Sequence, residues 1–309
     1  MSTAKEPLRL GTRKSLMAMT QSGLVADALS QRTGHMVDLV GVTTQGDVSK
    51  ALLAQIGGTG VFVNALRDRL LSGEVDFAVH SLKDLPTGPA EGIALAAVPV
   101  RDDPRDALCG PCKLADLPRG ARVGTGSPRR VAQLRALRSD IEVVPIRGNA
   151  DTRLRKVADG ELDAVVLAYA GLKRIGRLAD VAEVFDPDQM LPAPGQGALA
   201  LECRADRADL VELLAAVDDP ASRAAVTAER TVLAVLEAGC SAPVGTYAAE
   251  VEQKLRLTAN VVGIDGARQI RLSASGHPDR PDELGRELAR RLLDQGADQL
   301  MGELDDEPR

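Results

Sequence analysis

Apolar and polar positions switch between two periods along most of the chain. Leu8-Arg-Leu-Gly-Thr12 reads as a short strand entering a turn, and helical spacing follows to about Leu29. Val37 to Thr43 is a second strand. Gln45 to Gly60 is polar and glycine-rich, a composition that suits a mobile loop. Helical spacing resumes from Val61 to Leu71 and stops near Gly73. Phe77-Ala-Val-His80 then reads as a buried strand opening into Ser81-Leu-Lys-Asp-Leu-Pro86. Strands alternating with helices predict a largely parallel sheet covered by helices.

The next segment echoes the first. Arg9-Leu-Gly-Thr12 returns as Arg122-Val-Gly-Thr125, and Val37–Thr43 as Ile141–Arg147. Ser72-Gly-Glu-Val-Asp-Phe-Ala-Val79 returns as Asp159-Gly-Glu-Leu-Asp-Ala-Val-Val166. Three echoes in the same order predict two lobes of like topology. The first lobe takes residues 1–99 and is completed by 198–218, after crossovers near Pro99–Pro104 and Leu191–Gly197. The second takes 100–197. Residues 219–309 form a small α+β domain: a helix over Pro220–Leu236, a loop at Gly239-Cys-Ser-Ala-Pro243, and a strand over Leu255–Val262. A turn at Asp265-Gly266, a helix over Asp282–Leu293 and a fraying acidic tail from Glu303 to Arg309 complete it.

Composition narrows the function. The chain has 309 residues and a formal net charge of -6, and 2% of its residues are aromatic. Acidic balance and scarce stacking rings argue against a nucleic-acid partner. No run approaches the length of a membrane span and no secretory leader pattern is present, so a soluble cytoplasmic protein is expected. Four cysteines in a chain this long are no disulfide framework, and the three dispersed histidines suggest no metal site.

Against that acidic background three arginine-bearing segments stand out: Gly124-Thr-Gly-Ser-Pro-Arg-Arg130, Arg147-Gly-Asn-Ala-Asp-Thr-Arg153 and Ala170-Gly-Leu-Lys-Arg174. Each sits at the end of an aliphatic run, where an α/β sheet presents its ligand face. Arg129, Arg130, Arg147, Arg153 and Arg174, joined by Arg13 and Ser15 from the first lobe, suit a ligand with several carboxylates. Two lobes with a cleft between them could close on it. Asp84, beside Ser81 and Lys83, is placed either for proton transfer or as a turn cap, and local sequence leaves both open. His80 reads as a core histidine ahead of an acid–base group. Cys109-Gly-Pro-Cys112 spells a redox-like motif, but no clear strand leads into it, so a redox role is not favoured. Cys203 reads as packing. Cys240, in a loop, has the freedom that covalent attachment needs.

Taken together, Val79–Pro86, Gly124–Arg130, Arg147-Gly-Asn149, Ala170–Arg174, Leu191–Gly197 and Gly239–Pro243 resemble the hydroxymethylbilane synthase, or porphobilinogen deaminase, family. The resemblance runs from about Leu8 to the final helix. It implies two lobes similar to periplasmic binding proteins of the type II topology, plus a third domain carrying the cofactor. It implies a dipyrromethane held by Cys240 through a thioether. Four porphobilinogen molecules would be condensed onto it with loss of four ammonia, and linear hydroxymethylbilane released by hydrolysis. By the same resemblance Asp84 is the catalytic carboxylate, and Lys83, Arg13, Arg129, Arg130, Arg147, Arg153 and Arg174 match the catalytic and carboxylate-binding groups. Ser15, Ser81, Thr125, Ser127 and Gly148 lie with them around the cofactor. Where many relatives place lysines, this chain has Gln55, Thr59 and Asn64, which cannot supply charge. A monomer is expected. The competing reading is a noncatalytic two-lobed binder of a polycarboxylate or oxyanion.

Overall fold

In a computed structural model of the chain the structure describes residues 6–42, 60–239 and 242–302. Its first stretch runs β1 (Leu8–Arg13), α1 (Leu16–Thr33), β2 (Val37–Val42), α2 (Gly60–Leu71), β3 (Phe77–Ser81) and β4 (Ile93–Ala97). Then come β5 (Asp106–Cys109), β6 (Arg122–Thr125), α3 (Pro128–Leu137), β7 (Glu142–Pro145), α4 (Ala150–Ala158), β8 (Ala164–Ala168), α5 (Tyr169–Arg174) and β9 (Val181–Val184). The rest is β10 (Leu199–Arg204), α6 (Ala208–Leu214), α7 (Pro220–Val235), β11 (Val244–Val251), β12 (Lys254–Val262), β13 (Gln269–Gly276), α8 (Pro281–Asp294) and α9 (Ala297–Gly302).

Alternation along β3 shows why helices cover both faces of the first sheet. Phe77 and Val79 pack with Val25 and Leu29 of α1 and Leu210 and Leu214 of α6. Ala78, between them, faces Leu66 and Leu70 of α2. The echoed strand β8 repeats this: Ala164 and Val166 meet Leu134 of α3, while Val165 and Leu167 meet Leu154 of α4 and Leu172 of α5.

Strand order confirms the duplication. The sheets run β2-β1-β3-β10-β4 and β7-β6-β8-β5-β9. The first three strands of each are parallel, the fourth antiparallel. All three sequence echoes fall on equivalent strands. The fold is the α/β arrangement of two similar lobes, with a three-stranded antiparallel sheet β11-β12-β13 as the small C-terminal α+β part. Leu255, Leu257, Ala259 and Val261 line one face of β12 and pack on α7 and α8.

The chain divides into two compact units, residues 1–101 with 198–223, and residues 102–197 with 224–309. The second holds both the β5–β9 sheet and the C-terminal sheet, which are stitched together by named bonds. Arg135 Nη1 donates to Ile264 O at 2.7 Å, the Thr246 N–H to Pro192 O at 2.9 Å, and Glu229 accepts from the Gly195 and Ala248 N–H groups at 2.8 Å each.

β5 departs from the sequence reading, which found no clear strand before the C-x-x-C motif. All four residues of Asp106–Cys109 are buried, Asp106 included. Gly197, where the first segment of the second unit ends, takes φ +87°, and a Cβ there would stand 2.4 Å from Asp102 O. Only glycine fits that approach. Among the described residues no helix is long and apolar enough to cross a membrane, and no group of three or more His, Cys, Asp or Glu could hold a metal ion.

Candidate active site

In the first unit the expected residues sit where β1 and β3 end. Ser15 caps α1, accepting from the Ala18 N–H at 3.3 Å, and Arg13 is half-buried just before it. Ser81 ends β3 and pairs with Gln21 of α1 at 3.2 Å, tying the strand end to the first turns of the helix. Lys83 and Asp84 lie in a single 3-10 turn, Leu82–Asp84, pinned by the buried Leu82 and Leu85 on either side. The Asp84 carboxylate is exposed and makes no hydrogen bond or ion pair among the described residues. It is a charged group on a firm base, left open to whatever binds.

Behind this turn His80 is buried, with Nε2 3.3 Å from Glu202 on β10. Arg67 of α2 grips the same carboxylate through two bonds, at 2.9 and 2.6 Å. Burial pushes the Glu202 carboxyl up, but His80 close beside it and the hydrogen bonds from Arg67 outweigh this and hold the group down at about 2. His80 therefore packs in the core against the buried Arg67–Glu202 ion pair, as its strand position suggested.

In the second unit the expected residues again gather at strand ends. Thr125 closes β6 and is fully buried, and its hydroxyl accepts from the Ser127 N–H at 3.3 Å. Ser127 stands at the N-cap of α3 without a side-chain capping bond, and Pro128 follows. The first-turn N–H groups of α3 are thus left uncapped by Ser127. Arg147 follows β7, exposed and without a partner among the described residues. Gly148, at φ +102°, turns the chain into α4, whose Asn149 cap accepts from Thr152 N at 2.9 Å. Arg153 Nε donates back to Gly148 O at 2.9 Å.

Arg129 and Arg130 differ from the picture of open, ligand-facing guanidiniums. They are only 3% and 5% exposed, and both pair with Asp106. Arg129 Nη1 also donates to Leu191 O at 2.6 Å, and Arg130 Nη1 to Val166 O at 2.9 Å. Burial pushes Asp106 up, yet the two guanidiniums hold its carboxyl far below the usual range. Arg174 is likewise engaged, donating to Asp102 at 3.0 Å and to Gly197 O at 2.6 Å, with Lys173 on the same carboxylate at 2.9 Å.

Asp106, Gln196, Glu202 and Arg67 were missed as members of these networks. A carboxylate interrupting an aliphatic strand, as in Leu199-Ala-Leu-Glu-Cys203, is the signal that could have found Glu202. Cys240 and Ser241 lie outside the described residues, as do Gln55 and Thr59 of the polar loop; Asn64 is exposed on α2. Cys109 is buried, which pushes its thiol up to about 12, and both it and Cys112 are free. That is the opposite of an activated redox cysteine.

Residues 8–212 match the family described as "Porphobilinogen deaminase, dipyromethane cofactor binding domain", and residues 223–294 match "Porphobilinogen deaminase, C-terminal domain". The chain is 63% identical to the porphobilinogen deaminase of Thermobifida fusca, covering 96% of each. It is 58% identical to porphobilinogen deaminase 1 of Streptomyces coelicolor, over 97% of this chain and 98% of that one. The Mycobacterium bovis porphobilinogen deaminase is 52% identical over 95% of this chain and 98% of its own. Among solved structures, the periplasmic VFT2 domain of Bordetella pertussis BvgS is 19% identical, covers 68% of this chain and 86% of that one, and has a TM-score of 0.41.

These matches and the cofactor-binding description that spans both five-stranded sheets define the class first: a transferase working on a dipyrromethane cofactor, in porphyrin and heme biosynthesis. The chain belongs to the porphobilinogen deaminase family, also called hydroxymethylbilane synthase. Porphobilinogen is its substrate, and its work is to build a pyrrole chain from it. The noncatalytic-binder reading gives way.

Proposed function

We propose that the donors at the strand ends hold the acetate and propionate groups of the cofactor and growing chain, and that Asp84 manages proton and charge during each condensation. Cys240 is taken as the thioether attachment point, within a third body of residues 219–309. The first lobe is taken as 1–99 with 198–218 and the second as 100–197. Fit to a multiply anionic cofactor is supported by Arg129 Nε, buried without a hydrogen-bond partner among the described residues, and by the absence of a side-chain cap from Ser127 on the first turn of α3. When bound, the dipyrromethane supplies the pyrrole carbon to which the first new unit is joined.

Each condensation forms a carbon–carbon bond, releases ammonia and passes through developing positive charge. An exposed, unpartnered carboxylate stabilises that charge most when it is already in place. Asp84 meets this condition, held by Leu82 and Leu85. Lys83, Arg13, Ser15 and Ser81 provide donors on the first unit. Thr125, Ser127, Arg147, Gly148 and Arg153 provide them on the second. Arg147 is free to take a carboxylate at once, whereas Arg174 must first share or leave Asp102. The setting is read as cytoplasmic, supported by Cys109, Cys112 and Cys203 being free among the described residues, and the enzyme is read as a monomer.

The observation that carries this reading is the unpaired Asp84 carboxylate on its pinned turn. Asp84→Asn keeps the shape and removes the charge. Turnover should collapse while the fold and covalent cofactor persist; near-normal turnover would remove Asp84 from this role.

A further inference from the structure

Asp106 opens β5 directly opposite Ala168, the last residue of β8. An antiparallel strand thus delivers a carboxylate to the rim where the parallel strands end. The residue is fully buried, and four side-chain nitrogens converge on it. Arg130 Nε and Nη2 reach Oδ1 at 3.1 and 2.7 Å, Gln196 Nε2 reaches Oδ1 at 2.8 Å, and Arg129 Nη1 stands 2.7 Å from Oδ2.

The arrangement is lopsided. Arg129 and Arg130 are consecutive residues in the first turn of α3, the positive end of that helix's dipole. Their like charges repel, and one carboxylate serves both. Two guanidiniums against one carboxylate leave one positive charge uncompensated inside the protein. The close Arg129–Asp106 contact is also poorly aligned, because neither Asp106 Oδ2 nor Arg129 Nε makes a hydrogen bond among the described residues. An ion pair serving stability alone would satisfy these atoms. Arg129 instead keeps the Nε side of its fork for a further acceptor.

We infer that Asp106 is a positioning residue for the condensation reaction. It fixes the two guanidiniums at the strand ends and cancels one of their charges, so that the pair receives a single carboxylate of the bound pyrrole chain. This rests on reading Arg129 and Arg130 as carboxylate-binding groups. Gln196 acts with it, bridging Asp106 to Pro104 O at 2.7 Å and so fixing the strand's approach.

The test compares Asp106→Asn with wild-type holoenzyme, alongside Arg129→Leu and Arg130→Leu. Four quantities are read on folded protein: kcat and KM for porphobilinogen, the masses of covalent enzyme–substrate intermediates, and the melting temperature. The expected result for Asp106→Asn is a fall in kcat of at least about tenfold. Intermediates should stall at a length the wild type passes through, with partial recovery in Asp106→Glu. Should Asp106→Asn not fold, Gln196→Met removes one donor and leaves all charges, and the same stall should appear in weaker form. A lowered melting temperature with unchanged kcat, KM and intermediate distribution overturns the inference and leaves Asp106 an internal counter-ion; so does an unaltered Gln196→Met if only that variant folds. If the two arginine variants collapse and Asp106→Asn does not, only this inference falls. If the arginine variants are also normal, the carboxylate-binding reading falls with it.

Discussion

Replacing Glu202 by Gln leaves the shape of β10 intact and removes the charge that Arg67 and His80 share. Truncating one partner of a buried pair costs roughly 3–5 kcal/mol, because the other charge is left unpaired. The Arg67 side chain is 14% exposed against 4% for Glu202, so its guanidinium still touches water and the lower end, about 3 kcal/mol, applies. The depressed carboxyl pKa of Glu202 gives a second route to the same figure. The carboxyl falls from an ordinary 4.5 to about 2 in the folded protein, burial being outweighed by His80 close beside it and the hydrogen bonds from Arg67. A folded value below the unfolded one means stability fully present above 4.5 and lost as pH falls toward about 2. That loss amounts to on the order of 3 kcal/mol. Urea unfolding followed by circular dichroism, at neutral pH and through the acid range, measures both. Glu202→Gln should be weaker by about 3 kcal/mol near neutrality, and its deficit should shrink on acidification, because Asp106 and the other carboxylates titrate alike in both proteins. A deficit under about 1 kcal/mol, or one that stays constant down the acid range, refutes the assignment of Glu202 as the charge that anchors β3 and α2.

Other substitutions probe separate elements. Gly197→Ala places a Cβ 2.4 Å from Asp102 O at a left-handed φ, and should cost at least about 2 kcal/mol in thermal unfolding; a neutral effect would mean the crossover is looser than described. Arg147→Leu should hinder elongation through lost carboxylate contacts, whereas unchanged substrate binding and intermediate distribution would make it a surface arginine. The double replacement of Cys109 and Cys112 by Ser should leave catalysis nearly intact, and in the native enzyme Cys109 should resist alkylation near neutral pH because burial holds its thiol at about 12. Loss of turnover with the fold preserved would revive a redox role.

The parallel strands were legible because each carries an aliphatic run ending in a turn, and the three echoes fixed their equivalence. β5 was not legible: Asp106 continues the polar run from Asp102, and the groups that make its burial tolerable, the guanidiniums of Arg129 and Arg130 and the amide of Gln196, are distant in sequence. β11 was hidden for a different reason. Its hairpin to β12 turns through Glu252 and Gln253 at φ 50° and 62°, without the Asn-Gly or Asp-Gly pair that marks such turns. By contrast Asp265-Gly266, with Gly266 at φ 77°, announced the β12–β13 hairpin. For the site, strand-end position was readable, but partnership was not. Arg147 and Arg174 look alike in sequence, yet one is open and the other is bonded to Asp102 and Gly197. Spacing along the chain carries no record of which carboxylate an antiparallel insertion brings alongside.

We propose that Cys240 holds the dipyrromethane of this pyrrole-building transferase. The decisive measurement is the intact mass of the denatured, active protein followed by peptide mapping. A dipyrromethane adduct confined to the peptide containing Cys240 is expected. An unmodified Cys240 in protein shown to be active, or an adduct mapped to another cysteine, would contradict it.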